Sequence, residues 1–403
     1  MKVLMFGWEF PPYSSGGLGT ACYGLTKGLS NNSIEVAFVV PTKYDAKADF
    51  VKVIPMRGGV LKMLKVDSNL MPYMTSKEYE SELLLGKGGK GSSIYGKNIF
   101  EEVYRYSQKA SLIAEQEPHD IIHCHDWMTF RAGINAKNVS HKPLVIHVHA
   151  TEFDRTGNTG VNQHVYDIER EGMHKADAII AVSQFTKNKI VEHYDVNPDK
   201  VYVVHNAVEF NDYASAREEF GIKENSKVVL FLGRITIQKG PDYFLDAAKK
   251  VLDVEPNVKF IVAGTGDMSG QMIERAAELG IADKVLFAGF LKGKDIDRAY
   301  KMADLYVMPS VSEPFGITPL EAMRNETPVI ISKQSGVSEV ISSCLKVDFW
   351  DTDKLANQIL GVLRYQEVHG LLKENGFNEV KKMSWNDSAR KCIEVYNTVL
   401  EAA

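Results

Sequence analysis

Two carboxylates, Glu313 and Glu321, flank the loop of SEPFGITPLEAM with seven residues between them. Glu313 follows the apolar run DLYVMPS and precedes Pro314 and Gly316, so it stands where a strand's carboxyl end would open onto a cleft. From a helix start just beyond, the amides of Phe315, Gly316, Ile317 and Thr318 would point at an anion. Glu321 has a competing structural role, because Thr318, Pro319, Leu320 and Glu321 match a capping box with proline at the first helical position. A second set, GRITIQKG, places Arg234 and Lys239 after another apolar run. There a planar fork and a point charge could converge on a pyrophosphate, or both could simply be solvated. A third set, SSGGLGT, has Gly16, Gly17 and Gly19 between a strand and a helix, as a backbone cradle for phosphate or as a tight turn with no ligand. A dinucleotide fingerprint would need glycine in place of Cys22 and an acid ending EVAFVVP, so nicotinamide binding is disfavoured.

Histidines gather at the strand ends of the first half: His123 and His125 beside Asp126 and Trp127, then His147 and His149 in VIHVH. Strand alternation puts His147 and His149 on one face, a pattern that invites a metal, but no matching ligand set accompanies them and no metal site is expected. His149, followed by Ala150, Thr151 and Glu152, stands where its strand meets the cleft. The acidic triplets at 295–297 and 351–353 read as helix caps or first-turn acids.

The elements that must position these residues follow from periodicity. KVLMFGW, EVAFVVP, DIIHCH, PLVIHVH, AIIAVS and VYVVHN alternate with amphipathic stretches, and after Asn206 the rhythm restarts with VVLFLGR, VKFIVAG, VLFAGF, DLYVMPS and PVIISK. Two doubly wound α/β domains with a cleft between them are predicted, joined near 205–213 where turn-prone Asn and Asp take over. Residues 55–97, with MRGGVLKML and GKGGKGSS, break the rhythm and read as a mobile surface excursion, with a lid or acceptor-recognition insert as the alternative. Beyond Met383 one amphipathic helix is expected, capped by Asn386 or Asp387.

A chain of 403 residues exceeds one ordinary core, and its 44% hydrophobic and 25% charged residues are those of a globular protein without an apolar span for a bilayer. The N-terminus reads as a first strand and not as a signal peptide, and Cys22, Cys124, Cys344 and Cys392 are scattered as in a reducing compartment, so a cytoplasmic protein is expected. A net charge of -5 without a basic cluster argues against a nucleic-acid partner.

Taken together, GGLG, HDW, HVHATE, GR followed by QKG, and the paired glutamates resemble the retaining glycosyltransferases of the GT-B fold, family four and the related glycogen and starch synthases, over nearly the whole chain. The resemblance implies an acceptor-binding domain over 1–206, onto which a terminal helix at about 386–403 packs back, and a nucleotide-sugar-binding domain over 207–385. It implies that Arg234 and Lys239 stabilise the leaving diphosphate, that Gly17 and the amides near Gly316 and Ile317 complete the anion site, and that Glu313 bonds the donor sugar. Glu321 would hold the ribose, His149 would lie beside the reacting sugar, and Asp126, Phe315 and Thr318 would line the substrates. It further implies transfer of a hexose, glucose above all, from UDP- or ADP-glucose to an α-glucan with no metal or other cofactor. Another sugar, or a small-molecule or lipid acceptor, is the alternative. A 2-epimerase of nucleotide-sugars and a non-catalytic nucleotide-sugar-binding protein are the remaining readings. In glycogen and starch synthases of bacteria and plants the glycine-rich loop reads KTGGLGD. Here Ser14 stands at the lysine's place and Thr20 at the aspartate's, which weighs against ADP-glucose.

Overall fold

The structure, a computed structural model, describes residues 1–11, 16–42, 52–56, 59–67, 99–157, 160–210 and 226–402. In the first sheet β1 (Lys2–Phe6), β2 (Glu35–Thr42), β3 (Lys52–Met56), β4 (Gly59–Asp67), β5 (Ile121–His125), β6 (Leu144–Val148), β7 (Ala178–Ala181) and β8 (Val201–Val203) lie in the order β3-β4-β2-β1-β5-β6-β7-β8. Every pairing is parallel except that of β3 with β4. The second sheet is parallel throughout: β9 (Val228–Leu232), β10 (Lys259–Ala263), β11 (Val285–Gly289), β12 (Leu305–Met308), β13 (Val329–Ser332) and β14 (Leu345–Val347), ordered β11-β10-β9-β12-β13-β14.

Helices α1 (Gly17–Asn31), α2 (Ile99–Gln116), α3 (Trp127–Ser140), α4 (Glu152–Arg155), α5 (Gln163–Lys175) and α6 (Gln184–Tyr194) accompany the first sheet. The second is accompanied by α7 (Pro241–Leu252), α8 (Ser269–Glu278), α9 (Lys294–Met302), α10 (Ile317–Arg324), α11 (Thr352–Arg364) and α12 (Gln366–Val380), and α13 (Trp385–Glu401) follows. None of the described helices is long and apolar enough to cross a membrane. The two predicted doubly wound α/β units are present, most of their parallel strands alternating with helices along the chain.

Parallel strands covered on both faces must be apolar on both. β5, β6 and β7 are buried at every residue. In β9 the two faces serve different cores: Val228 and Leu230 join the larger apolar cluster shared with the first sheet, whereas Val229 and Phe231 join a second cluster with α7 and α11. The period of two along a strand is the cause of this division.

Two expectations are corrected. Residues 55–97 do not begin as a loop, because β4 occupies Gly59–Asp67 and pairs with β2 from Val36↔Leu61 to Thr42↔Asp67. The glycines of this stretch masked the strand-forming GVLKMLKVD, while 68–98, including GKGGKGSS, lie outside the described residues. In α13 the cap is Ser384, whose Oγ accepts from the Asp387 amide at 3.2 Å, and not Asn386 or Asp387. Burial of Trp385 against Gly24 of α1 draws the tryptophan into the helix as its first residue and moves the cap upstream.

That contact defines how α13 lies on α1. A Cβ at Gly24 would overlap the Trp385 ring, and one at Gly28 would overlap the Trp385 carbonyl oxygen. Gly28→Ala is therefore expected to destabilise the protein by about 1–3 kcal/mol through overpacking in denaturant unfolding. By contrast Gly361→Ala, in α11 with nothing within 4 Å of its Cβ position, should stabilise by roughly 0.4–1 kcal/mol. Equal effects of the two substitutions would refute the packing argument.

Candidate functional site

Both sheets reverse their winding at a switch point, where the loops leaving two neighbouring strands part and leave a crevice. In the first sheet these strands are β1 and β5, followed by Glu9 and Asp126; in the second they are β9 and β12, followed by Arg234 and the 309–316 loop.

The loop after β9 ends in a short 3-10 turn, Ile237–Lys239, and Gly240. Gly240 has φ of 62°, and a Cβ there would overlap the Pro309 carbonyl oxygen, so glycine lets this turn press on the end of β12. The Val311 amide donates to the Gln238 carbonyl at 2.9 Å and fixes the contact. Lys239 Nζ is thereby carried to 2.5 Å from Glu313 Oε2, which also accepts from Ser310 Oγ at 3.1 Å. Arg234 Nη2 donates to Gln238 Oε1 at 2.9 Å, on the same turn. The structure thus brings Lys239 and Glu313 into an ion pair and seats Arg234 beside the turn that carries the lysine.

The Glu313 amide donates to the Gln334 carbonyl and the Gly336 amide to the Glu313 carbonyl, both at 2.9 Å, which makes an isolated parallel bridge between Glu313 and Ser335 beyond the ends of β12 and β13. Gly316 follows at φ 101°, and a Cβ there would lie 3.2 Å from both Glu313 Cγ and Met308 Cε. No side chain caps α10, which starts at Ile317 with Gly316 as its cap residue. The expected capping box is therefore absent. Thr318 lies inside the first turn, where its Oγ1 accepts from Tyr306 OH at 2.8 Å, and Glu321 Oε2 instead accepts from Tyr300 OH at 3.2 Å. Glycine's left-handed backbone starts the helix two residues before the threonine, so the helix entrance keeps its amides for another acceptor. Burial pushes the Glu321 carboxyl above its ordinary range, an effect opposed by Arg324 and the Tyr300 bond. Phe315 is buried, its carbonyl accepting from the Val337 amide at 2.7 Å.

Helix α1 likewise begins on a glycine, Gly16, without a side-chain cap, and a Cβ at Gly17 would meet nothing within 4 Å. One amide of its first turn is taken: Gly19 donates to Glu9 Oε2 at 3.1 Å. Glu9, fully buried, was missed in the motif reading, although an acid directly after the first apolar run was its signal. Ser14 lies outside the described residues. A cleft of about 180 Å³ lies between α1 and α10, lined by Thr20, Tyr23, Glu209, Gly293, Asp297 and Glu321 among others. Glu321 is on its wall; Arg234, Lys239 and Glu313 are not.

On the first sheet four imidazoles form a ladder. His147 stacks on His149 with ring centres 4.2 Å apart, His125 on His123 at 4.6 Å, and His125 Nδ1 lies 2.9 Å from His149 Nε2. His123 Nδ1 meets Tyr396 OH of α13 at 2.5 Å. Ring nitrogens of His123, His125 and His147 lie within 4.8 Å of one another, so a metal ion is geometrically conceivable among them. The neighbouring rings, however, stand 25–37° apart as a stack and do not fan out around a common point as tetrahedral ligands would. Burial drives His123 and His149 each down to about 3, and His125 and His147 well below the ordinary value.

Asp126 has φ 58° and ψ 174°, a backbone region that is almost exclusive to glycine and costs about 1–3 kcal/mol. Its Oδ1 accepts the His149 amide at 2.6 Å and the Ala150 amide at 3.3 Å, while Oδ2 has no protein partner. The aspartate thus fixes the backbone of His149, and burial pushes its carboxyl up to about 7. Beyond it, Thr151 and Asp154 form a capping box for α4, a pairing that motif reading also missed.

A sequence profile for glycosyltransferase family 4 matches residues 15–212, and one for glycosyl transferases group 1 matches 212–379. An uncharacterized glycosyltransferase of Methanocaldococcus jannaschii is 31% identical over the whole chain and 99% of its own length. A D-inositol 3-phosphate glycosyltransferase of Segniliparus rotundus is 29% identical over 70% of this chain and 67% of its own. Sucrose-phosphate synthase from Thermosynechococcus elongatus superposes with a TM-score of 0.80 at 18% identity, covering 100% of both chains.

The imidazole ladder has a measurable consequence. A group whose folded pKa is depressed contributes stability that is present above its unfolded value, about 6.5 for histidine, and lost as pH falls below it. Asp126 acts oppositely, since a raised carboxyl loses its contribution as pH rises toward about 7, and the raised carboxyls of Glu169, Asp242 and Glu321 act with it, but six lowered imidazoles, the four of the ladder with His119 and His369, stand against these four. Stability should therefore fall between pH 6.5 and 5, and His147→Leu should flatten that slope by about one proton, ~1.4 kcal/mol per pH unit, in urea melts at several pH values. An unchanged slope would refute the neutral burial of His147.

Proposed function

The chain belongs to the glycosyltransferases, family 4 in its N-terminal half and group 1 in its C-terminal half, and from that premise we propose that it transfers a hexose from a nucleotide-sugar to an acceptor hydroxyl with retention of anomeric configuration. Glucose, carried on UDP or ADP, is the hexose proposed. The observation that carries this reading is the Lys239–Glu313 pair at the switch point of the second sheet, beside the uncapped start of α10.

The nucleotide-sugar is assigned to the second domain and the acceptor to the first. Cleavage of the bond between sugar C1 and the phosphate oxygen leaves the electron pair on the diphosphate and positive character on the ring. Lys239, Arg234 and the amides of α10 stabilise the negative charge where it develops, with the α1 start around Gly17 facing it from the first domain. The acceptor oxygen bonds to C1 on the face the diphosphate leaves, and its proton passes to the departing phosphate oxygen. Positioning supplies the remainder. Glu313 is an orienter of the sugar: its Oε2 already holds Lys239 and Ser310, and the second carboxylate, Glu321, is bonded to Tyr300. The two-carboxylate scheme of glycosidases is thus not invoked. His149, neutral, offers the sugar a hydrogen bond and no charge. This chemistry calls for no metal, and the four buried, unpaired cysteines suit a cytoplasmic setting.

For the acceptor, the HDW and glycine-rich stretches favour an α-glucan. The D-inositol 3-phosphate glycosyltransferase relative favours a second reading, a small phosphorylated polyol. UDP- or ADP-glucose incubated with a maltooligosaccharide or with inositol 3-phosphate should release nucleoside diphosphate and glucosylate one of the two. Absence of turnover with every sugar nucleotide would sink the reading. Lys239→Ala should lower kcat by about two orders of magnitude. Near-normal rates would remove its assigned role. Glu321→Gln should weaken nucleotide binding in calorimetry, and a loss of stability alone would leave Glu321 a purely structural partner of Tyr300.

A further inference from the structure

Glu313 is bracketed by two residues that bond across to the first domain. On its N-terminal side Ser312 is fully buried, and its Oγ donates to Asp154 Oδ1 at 2.6 Å while accepting from Lys189 Nζ at 2.7 Å. Lys189 Nζ also donates to Asp154 Oδ1 at 2.8 Å, which closes a three-membered ring of bonds away from water. On its C-terminal side the Pro314 carbonyl accepts from Ser183 Oγ at 2.5 Å and Thr186 Oγ1 at 3.2 Å. Ser183, Thr186 and Lys189 all belong to the start and body of α6. A carboxylate flanked in this way cannot shift along the cleft without breaking bonds to the opposite domain.

The ring also reaches the histidine side of the cleft. The other oxygen of Asp154, Oδ2, accepts from the Thr151 amide at 2.9 Å and Thr151 Oγ1 at 2.8 Å. Thr151 stands two residues after His149, whose own amide is held by Asp126. One aspartate therefore bonds through one oxygen to the segment carrying His149 and through the other to the residue before Glu313. Both of its oxygens are in use, and Lys189 balances its charge.

We infer that Ser312, Asp154 and Lys189 form a positioning device that sets Glu313 of the second domain in register with His149 of the first, so that both meet the same sugar. The inference rests on the proposed reading of Glu313 and His149 as donor-sugar contacts. The three residues are positioning residues: none of them needs to touch substrate. Because Lys239, Arg234 and the amides of α10, the larger part of the proposed diphosphate site, sit in the second domain, loss of the ring misplaces the sugar while the diphosphate keeps those contacts.

Ser312→Ala tests this, since it leaves the Asp154–Lys189 ion pair in place. The full chain is assayed with its sugar nucleotide for kcat per folded molecule and donor KM, with nucleoside diphosphate affinity by calorimetry and Tm alongside. Expected is a fall in kcat of about tenfold to a hundredfold, the scale of a sub-ångström to ångström misplacement, with nucleoside diphosphate affinity unchanged. The double variant Asp154→Asn with Lys189→Met, which removes both charges together, should show the same split if Ser312→Ala does not fold. An active wild type whose variants keep full kcat overturns the positioning role alone, whatever happens to Tm. Equal losses of kcat and diphosphate affinity overturn it too, because they mark a general collapse of the site. A wild type that releases no diphosphate from any sugar nucleotide overturns both this role and the transfer reading.

Discussion

The site is organised by one electrostatic requirement, that the nearly buried Glu313 carboxylate have a cation. Its side chain is 7% exposed and that of Lys239 20% exposed, so neither group has water enough to stand alone. An uncompensated charge in such a place costs about 3–5 kcal/mol. To meet the requirement, loops from two adjacent strands have to be docked on each other within the reach of one lysine side chain. The left-handed Gly240 against the Pro309 carbonyl, and the Val311 amide on the Gln238 carbonyl, do this. In the proposed reaction an arriving diphosphate would compete for an ammonium that is already oriented, and a carboxylate relieved of part of its partner would gain from sugar hydroxyls.

The opposite wall is built on the reverse principle. Four imidazoles in mutual ring contact, sealed by Tyr396 from α13 and by Phe38, repel protonation together. That wall contributes hydrogen-bonding surface without positive charge, so in the proposed reaction the cations facing the leaving group would come from the second domain. Asp126 shows how much structure is committed to holding it: a strained backbone and a buried carboxylate serve to fix two amides of the segment that presents His149.

What could be read in the sequence was what depends on local pattern. The alternation of apolar runs and amphipathic stretches identified both doubly wound units, and strand ends located Arg234, Lys239, Glu313 and His149 because such folds place ligand loops there. The Thr318 capping box failed for a local reason as well: Gly316 offers the chain a left-handed start that the motif does not consider, and Tyr306 claims the threonine hydroxyl. The strand β4 was hidden because its glycine-rich surroundings outweighed nine residues of strand-forming sequence. Glu9 had a signal in its place after the first apolar run, but its bond to Gly19, and the ring of Ser312, Asp154 and Lys189, were illegible for a different reason. Gly19 is ten residues from Glu9, and Ser312 is over a hundred from both its partners, and no local spacing rule encodes either kind of bond.

The domain junction mixes bonds of two strengths. At the rim, Glu339 of the second domain accepts from the amides of Gln184 and Phe185 at 2.8 and 2.7 Å, completing the cap of α6 from outside. Those bonds are solvent-exposed, so water can replace the carboxylate there at far less cost than in a buried bond. Deeper in, the Asp154–Lys189–Ser312 ring and the Pro314 carbonyl are buried, and water reaches them only if the domains part. An interface with a replaceable rim and a buried polar centre, beside the apolar cluster that the two sheets share, holds one register firmly once closed. The proposed transfer requires a nucleotide-sugar aligned between the two domains, and the polar centre that would set that alignment lies on the residues on either side of Glu313.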